Sequence, residues 1–350
     1  MLVESPSPPE QRAAPAAAPR ARHGARAAGL LIALAVLALV AVASIAVGAK
    51  AMPLDHVWHG LFHYSGTPDD VVVRDLRVPR TVLGVLVGLG LGLSGAVMQA
   101  LTRNPLAEPG ILGVNAGAAA AVVSAISFFG ATSLSEFVWW AFLGAAVVSV
   151  LVYVLGGSRS ATPVRLALAG TAASAALVGY INAVQLMDSK ALDKLRFWTV
   201  GSLSSATMDT VRQVAPFLLV GAVLALALGR PLNAMAMGDD SARSLGANLT
   251  RTRVAAMVAI TLLCGAATAA CGPIVFIGLM IPHLVRVITG PDMRWVLVYS
   301  AVLAPVLLLG ADVVGRVVTR PAELQVGIVT ALVGGPVFIH LVRRKRMAQL

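Results

Sequence analysis

Long apolar stretches, separated by short polar segments, repeat along almost the whole chain. They lie at 28–49, 78–101, 112–131, 137–155, 164–187, 211–229, 253–271, 273–288, 295–318 and 324–342. Most of them approach the roughly 20 apolar residues that an α-helix needs to cross about 30 Å of hydrocarbon. The pattern therefore predicts an all-α membrane protein with about ten transmembrane helices. The eighth stretch is the weakest, because it is short and contains Gly272-Pro273, Gly278 and Pro282.

Composition supports a membrane location. Of the 350 residues, 58% are hydrophobic and 12% are charged. A soluble domain carries about 25% charged residues, because charge covers the surface that faces water. Half that fraction is too little for a soluble surface, whereas a surface that faces lipid needs no charge. The Gly-rich second stretch further predicts close helix packing, since small residues let helices approach one another in lipid. A helix beside a moving pathway is the alternative interpretation of this Gly run.

The segments outside the apolar stretches divide the chain into three regions. Residues 1–27 are rich in Pro, Ala and Arg without an apolar period, so we expect a disordered basic cytoplasmic tail. Residues 28–342 form the predicted transmembrane domain, and 343–350 a short cytoplasmic tail. The first apolar stretch exceeds the 7–15 residues typical of a signal-peptide core, which favours an uncleaved span.

The distribution of basic residues predicts the orientation. An even number of spans places both termini on the same side of the membrane. With the termini inside, the interior segments carry 17 of the 27 Lys and Arg residues, as the positive-inside rule requires. The net charge of +11 is thereby explained by topology and by contacts with lipid headgroups. Nucleic-acid binding is excluded as an interpretation, since no basic stripe with interleaved aromatic residues supports it.

The sequence contains neither a motif for binding ATP nor the usual site for coupling transport to an ion gradient. None of its four lysines, Lys50, Lys190, Lys194 and Lys345, lies in a phosphate-binding loop, which needs a Gly-rich turn followed by Lys and Ser or Thr. The acids Asp188, Asp193, Asp209 and Asp312 fall near span ends, so an ion relay lacks its usual mid-membrane carboxylate. A membrane-embedded enzyme would need catalytic groups clustered at one depth, and the His and Asp positions are scattered. Energy for uphill transport would have to come from a partner.

Two smaller patterns each have a structural and a functional interpretation. His56, His59 and His63 share one helical face, which suits a metal site or an amphipathic helix at the outer membrane surface; we favour the second and predict no metal. Cys264 and Cys271 are seven residues apart, about 10 Å along a helix, so we expect packing residues without a disulfide.

A hydrophilic insertion separates the sixth and seventh stretches. Pro231 can start a short helix that Gly238 ends, and Asp239 or Asp240 can cap a second one that Gly246 terminates. Two short helices there, with Ala and Met exposed, would form either a surface for another protein or an ordinary structured loop.

An ordered set of motifs resembles the FecCD-type permeases, the membrane subunits of bacterial importers for ferric siderophores, haem and cobalamin. The motifs are RVPR at 77–80, SGAVMQAL at 94–101, NPLAEPGILGV at 104–114, FWTVGSL at 197–203, RPLNAMAMGDDSARSLG at 230–246, GPIVFIGLMIPHLVR at 272–286, ADVVGR at 311–316 and the stretch 323–338. The resemblance covers about residues 28–342.

The resemblance implies an inner contact with a cytoplasmic ATPase. The insertion at 230–246 is similar to the coupling helices that dock into that subunit, although relatives usually have Gly-Glu where this chain has Gly238-Asp239. The residues carried over by the motif are Arg230, Pro231, Met235, Gly238, Asp239, Asp240, Ala242, Arg243, Leu245 and Gly246.

It also implies an outer docking site and an inner gate. Arg77, Arg80 and Arg316 resemble arginines that receive acidic side chains of a substrate-binding protein, or else they anchor span ends at lipid headgroups. Asn104, Pro105 and Leu106 resemble a cytoplasmic gate, and a second gate element near 162–164 is left open. Glu108 is expected to hold the same inner loop together with Arg103.

The resulting prediction is a permease subunit of an ATP-binding-cassette importer in a bacterial plasma membrane. It would pair with itself or a homologous permease, bind two ATP-hydrolysing subunits and receive substrate from an extracytoplasmic binding protein. The chain itself would hydrolyse nothing and need no cofactor. Ferric siderophore is the expected cargo, with haem or cobalamin as the alternative; an ion-coupled secondary transporter is the rival class.

Overall fold

Every regular element in the described parts of the chain is helical. The computed structural model describes residues 19–157, 163–244 and 246–343. The helices are α1 (Pro19–Ala46), α2 (Leu54–Phe62), α3 (Pro68–Val71), α4 (Val78–Thr102), α5 (Val114–Phe129), α6 (Leu134–Leu155), α7 (Pro163–Met187), α8 (Ser189–Trp198), α9 (Met208–Ala227), α10 (Gly229–Ala236), α11 (Asp239–Ser244), α12 (Leu249–Cys271), α13 (Ile277–Thr289), α14 (Met293–Val318) and α15 (Val326–Arg343). A π-helical turn (Val72–Arg77) leads into α4, and a 3₁₀ turn (Pro109–Leu112) precedes α5. The predicted all-α fold is confirmed.

The predicted tails lie mostly outside the described residues. Residues 1–18 and 344–350 are outside them. Helix α1 begins at Pro19, earlier than the predicted span start at residue 28, so 19–27 belong to a helix.

Within the described ranges, seven helices are long and apolar enough to cross a membrane. They are Gly24–Ala46, Pro68–Thr102, Glu136–Leu155, Val164–Met187, Met208–Ala227, Leu249–Cys271 and Met293–Val318. Three further apolar helices, α5, α13 and α15, are shorter and coincide with the third, eighth and tenth predicted stretches. The positions of all ten apolar stretches are therefore helical, but only seven have the length of a full span.

Helix α13 is short because an irregular segment, residues 272–276, precedes it. Its 13 residues span about 20 Å at 1.5 Å per residue, well below the thickness of hydrocarbon. Gly272 and Phe276, at the two ends of this irregular segment, both have positive φ angles, of +74° and +71°. The carboxylate of Glu108 accepts a hydrogen bond of 3.2 Å from the Phe276 amide, which satisfies a donor at the break. Irregular backbone at membrane depth is tolerated where protein covers it in this way.

Helix α4 forms the centre of the bundle. In the most apolar 18-residue stretch of the span that contains α4, 78% of the residues are buried. The corresponding share for α1 is 11%, so α1 lies at the periphery. Glycines let other helices reach the α4 backbone: a Cβ added at Gly95 would collide with the Gly278 carbonyl oxygen, and one at Gly88 would lie 2.5 Å from the Pro305 Cα. The packing role predicted for the Gly-rich second stretch is confirmed.

Helix α2 is amphipathic and is held by hydrogen bonds on its polar side. His56 Nδ1 lies 2.7 Å from an Asp69 oxygen, and this hydrogen bond raises the pKa of His56 above its ordinary value. His59 Nδ1 lies 3.1 Å from Asp70, while Trp58 is exposed on the apolar side. No group of three His, Cys, Asp or Glu side chains in the described ranges is placed to hold a metal ion.

The two cysteines lie in α12. Cys264 and Cys271 are both buried thiols that pack within the bundle.

Candidate functional site

The predicted pair of short helices is present as α10 and α11. Gly238 ends the first with a φ of +102°, a conformation that glycine adopts without steric cost, and Gly246 follows the second with a φ of +79°. Arg230, Asp240 and Arg243 are exposed on this pair.

Two predicted surface residues of the pair face the core instead. Met235 and Ala242 are buried, so both pack the pair onto the bundle, while Met237 is exposed. The expectation of an exposed Met and Ala surface is therefore wrong for these two residues, because a short helix needs one apolar face to stay folded against its neighbours. Leu245 lies outside the described residues.

Asp239 holds α11 to two other elements. One carboxylate oxygen accepts a hydrogen bond from Arg103, at the end of α4, and the other accepts one of 2.7 Å from Arg253 in α12. Burial opposes ionisation of this group, but the hydrogen bond from Arg103 and the positive charge of Arg253 lower the pKa of Asp239 below its ordinary value. Both oxygens of Asp239 are thus engaged within the chain, which leaves Asp240 as the exposed acid of this helix.

Helix α10 is attached to the start of α14 by a reciprocal pair of bonds. The side-chain nitrogen of Asn233 donates to the Asp292 carboxylate over 2.7 Å. The side-chain oxygen of Asn233 accepts from the backbone amide of Met293 over 2.8 Å. Asp292 also caps α14, and its hydrogen bond with Arg294 lowers its pKa to about 2.

An arginine cluster lies at the opposite end of α4 and comprises the buried residues Arg77, Arg80, Asp312 and Arg316 together with the exposed Glu323. Arg80 donates to Asp312 over 2.7 Å and to Glu323 over 2.6 Å. Arg316 pairs with the other oxygen of Asp312 at 3.0 Å, and the side chains of both residues are buried.

Arg316 also holds α1 to α14. Its guanidinium donates to the carbonyl and hydroxyl oxygens of Ser44, both over 2.9 Å. The peripheral first helix is therefore fastened to the bundle through this arginine cluster.

Arg77 differs from the other two arginines because its acceptors are neutral. Its guanidinium donates to the backbone carbonyl oxygens of Ile45, Ala46 and Lys50, around the end of α1, over 2.6–2.9 Å. The residues that line the adjacent cavity of about 240 Å³ include Arg77, Arg80, Arg316, Lys50, Ser204 and Glu323. Three guanidinium groups face two carboxylates in the arginine cluster, so it carries an excess positive charge.

The predicted gate residues form a tight turn. The Asn104 side-chain oxygen accepts a hydrogen bond of 3.0 Å from the Leu106 amide, and Pro105 lies between them. Glu108 does not pair with Arg103 as expected: it contacts Phe276, and Arg103 is taken by Asp239. Sequence alone offers no means of choosing between two acids that can both reach one arginine.

The sequence motifs did not indicate Asp312 or Glu323, the acids of the arginine cluster, as site residues. Asp312 and Arg316 are four residues apart on one helix, a spacing that brings two side chains together, so this pair could have been found from the sequence. Arg80 and Glu323 are separated by 243 residues, so no local signal indicates their contact.

In the described parts of the chain, seven helices that are long and apolar enough to cross a membrane, packed around a central Gly-rich helix, indicate an integral membrane protein. The family model described as the FecCD transport family matches residues 36–344. The chain belongs to the FecCD transport family, as the sequence motifs predicted.

Several known proteins are similar to this chain over nearly its full length. The ferric enterobactin transport system permease protein FepD of Escherichia coli is 45% identical over 315 residues, covering 89% of this chain and 94% of that protein. The iron(3+)-hydroxamate import system permease protein FhuB of Bacillus subtilis is 40% identical, covering 91% and 83%. The hemin transport system permease protein HmuU of Yersinia pestis is 36% identical, covering 91% and 95%.

A solved structure shares the fold. It shows a metal-chelate type ABC transporter in an inward-facing conformation and superposes with a TM-score of 0.79 at 27% identity, covering 89% of this chain and 98% of that one.

Proposed function

We propose that this chain is the membrane permease subunit of an ATP-binding-cassette importer for ferric siderophores. The observation that carries the proposal is the family match over residues 36–344, together with 45% identity to a siderophore permease along almost its whole length. In this role the chain forms part of the translocation path and leaves ATP hydrolysis to a partner.

Charge and helix length support the proposed membrane arrangement. Seven full-length helices and three shorter ones give ten crossings if α5, α13 and α15 complete their spans with adjoining irregular segments. The segment 103–113 before α5 and the segment 272–276 before α13 supply such backbone, and the Glu108–Phe276 hydrogen bond joins them. With both termini cytoplasmic, α10 and α11 face the cytoplasm and the arginine cluster faces outward.

These two surfaces support the proposed partners. Two copies of the permease, or this chain and a homologue, enclose the path between them. Each presents its α10–α11 pair to one of two cytoplasmic ATP-hydrolysing subunits, with Arg230, Asp240 and Arg243 exposed toward it. A substrate-binding protein docks outside, over the cavity beside Arg77.

Docking of the binding protein is supported by the excess positive charge of the arginine cluster. A carboxylate that entered the cavity would pair with Arg77, whose present acceptors are uncharged carbonyl oxygens. Arg80 and Arg316 are already paired with carboxylates, so their contribution would be to the field in the cavity.

Arg77→Gln is expected to weaken the affinity for the binding protein about tenfold, with a smaller salt dependence than the wild type has. The measurement is Kd by surface-immobilised binding protein at two salt concentrations, with the midpoint of thermal unfolding as a check on folding. Asp209→Asn, which breaks an exposed pair with Arg212, is the matched control and should bind like the wild type. Unchanged affinity of a well-folded Arg77→Gln variant would show that Arg77 only anchors the end of α1.

The cargo is inferred from what similar proteins carry. The permeases named above transport ferric enterobactin, iron(3+)-hydroxamate and hemin by their names, and among these three the identity is greatest for the first. The test is uptake of labelled ferric enterobactin, ferric hydroxamate, hemin and cobalamin by host cells with and without this chain. Loss of ferric-siderophore uptake alone supports the proposal, whereas loss of only hemin or cobalamin uptake would reassign the cargo.

Glu108 provides a test against ion-coupled transport, because it is a partly buried acid next to a helix break. Glu108→Gln keeps an oxygen that can accept the Phe276 amide hydrogen but removes the titratable group. An ATP-driven importer should keep uptake within about fivefold of the wild type, since less than about 1 kcal/mol is at stake. An ion-coupled carrier that used Glu108 would lose its response to a proton gradient, which uptake in vesicles with an imposed pH gradient measures.

A further inference from the structure

The α10–α11 pair is fixed to the bundle through Asp239 in a way that the family resemblance does not suggest. The resemblance assigns this acid to a contact with the ATP-hydrolysing subunit. In the structure its two oxygens are occupied by Arg103 and Arg253, whose side chains are 36% and 15% exposed, against 31% for Asp239. Charge-assisted hydrogen bonds to both oxygens of one carboxylate fix its position more firmly than a single surface pair does.

Arg103 lies at the junction between α4 and the segment that follows it. It ends α4 in the left-handed conformation, with a φ of +48°, which residues with a Cβ rarely adopt. The backbone turns there out of the central helix and into the segment 104–113. Because the Arg103 side chain is bonded to Asp239, a displacement of α11 pulls directly on this turn.

The segment after Arg103 leads directly to the break before α13. Asn104, Pro105 and Leu106 form the turn that follows, and Glu108 then accepts the hydrogen bond from Phe276. A connected path thus runs from α11 through the Asp239–Arg103 pair, along the backbone from 103 to 108, and through the Glu108–Phe276 hydrogen bond to the residue before α13. The α10 end of the pair is separately fixed to α14 by Asn233.

We infer that Asp239 is a positioning residue that transmits movement of the α10–α11 pair to the segment 103–108, rather than a contact with the ATP-hydrolysing subunit. This inference rests on the proposed function, since it presumes that a partner moves the pair. Movement can pass from α11 to the segment 103–108 only through an interaction that links the two. The Asp239–Arg103 pair is that interaction, and it can be removed without changing the exposed surface of α10–α11 or the turn 104–106.

The test uses the complete transporter, reconstituted in vesicles with its ATP-hydrolysing subunit and binding protein. The variant is Asp239→Asn. Three quantities are measured: the amount of ATP-hydrolysing subunit retained, the number of ferric-enterobactin molecules taken up per ATP hydrolysed, and the nucleotide dependence of thiol labelling at Leu106→Cys. Both native thiols are buried, so the introduced cysteine reports on the turn.

We expect Asp239→Asn to retain its partner and its ATP hydrolysis but to lower uptake per ATP about tenfold, within the range of typical coupling free energies. Labelling at Leu106→Cys should then no longer change with nucleotide. Asp239→Glu, which keeps the charge, should restore most of the uptake. Asp209→Asn breaks an Asp–Arg pair in α9 and should leave all three quantities unchanged.

Arg103→Gln breaks the same pair from the other side and gives a second variant if Asp239→Asn folds poorly. The double variant should be no worse than Asp239→Asn alone, because both changes remove the Asp239–Arg103 pair and only Asp239→Asn also weakens the pair with Arg253. Loss of the ATP-hydrolysing subunit from Asp239→Asn would overturn the inference and assign the residue to docking. Wild-type uptake per ATP in both single variants would overturn it and leave an ordinary surface ion pair. Uptake by the wild type that ignores ATP would instead overturn the proposed function, and this inference with it.

Discussion

Asp312→Asn is expected to lower the free energy of unfolding by about 3–5 kcal/mol, because it removes the charge that two buried arginines share. The Asp312 side chain is fully buried between Arg80, at 2.7 Å, and Arg316, at 3.0 Å. Asparagine has nearly the same shape but no charge, so both guanidinium groups would lose their common counter-ion. Glu323 would remain as a partner of Arg80.

The measurement for this variant is unfolding of the purified chain in mixed micelles by titration with a denaturing detergent. Asp209→Asn is the control, since its pair with Arg212 has side chains that are 79% and 74% exposed. An exposed pair contributes little, so we expect a change within about 0.5 kcal/mol for the control. A change of less than about 1 kcal/mol for Asp312→Asn would contradict its role as the shared counter-ion of the arginine cluster.

Gly95→Ala is expected to cost about 3 kcal/mol, because a methyl group has no room between α4 and α13. Its Cβ would collide with the Gly278 carbonyl oxygen, which belongs to backbone and cannot rotate away. The two helices would have to separate, and α4 is the helix around which the bundle is packed. The same change would disturb the neighbouring break, where Glu108 contacts Phe276.

Gly310→Ala is the matched control for this substitution. Gly310 lies within α14, and nothing among the described residues beyond its own helical turn comes within 4 Å of the place its methyl group would take. Alanine has the higher helix propensity, so the control should be neutral or more stable by up to about 1 kcal/mol. Equal effects of the two substitutions on detergent unfolding would show that α4 and α13 are not in the close contact described.

The hydrophobic pattern predicted the helical fold well because it reports where lipid and core require apolar side chains. It did not predict which stretches are full spans. Gly272-Pro273 marked the weakness of the eighth stretch, but the pattern did not reveal that irregular backbone there is stabilised by Glu108. Hydropathy measures side chains, whereas the length of a helix at such a break depends on which distant group satisfies its amide.

The candidate sites were easier to locate from the sequence than to explain. Turn chemistry at Gly238 and Gly246 placed α10 and α11 correctly, since these positions need positive φ angles. Pairing partners were not predictable, because Arg80 and Glu323 are 243 residues apart and Asp239 and Arg103 are 136 apart. The docking role of Arg77, Arg80 and Arg316 stays a prediction, with Arg77 now the one whose acceptors are uncharged.

Transport through this chain is proposed to depend on ATP hydrolysis by a partner. The decisive experiment is uptake of labelled ferric enterobactin into vesicles that contain the chain, its ATP-hydrolysing subunit and its binding protein, with ATP or a non-hydrolysable analogue supplied on the side of the ATP-hydrolysing subunit. We expect accumulation above the starting concentration with ATP, and none with the analogue or under an imposed proton or sodium gradient alone. Accumulation that follows an ion gradient and ignores ATP would contradict the proposed function.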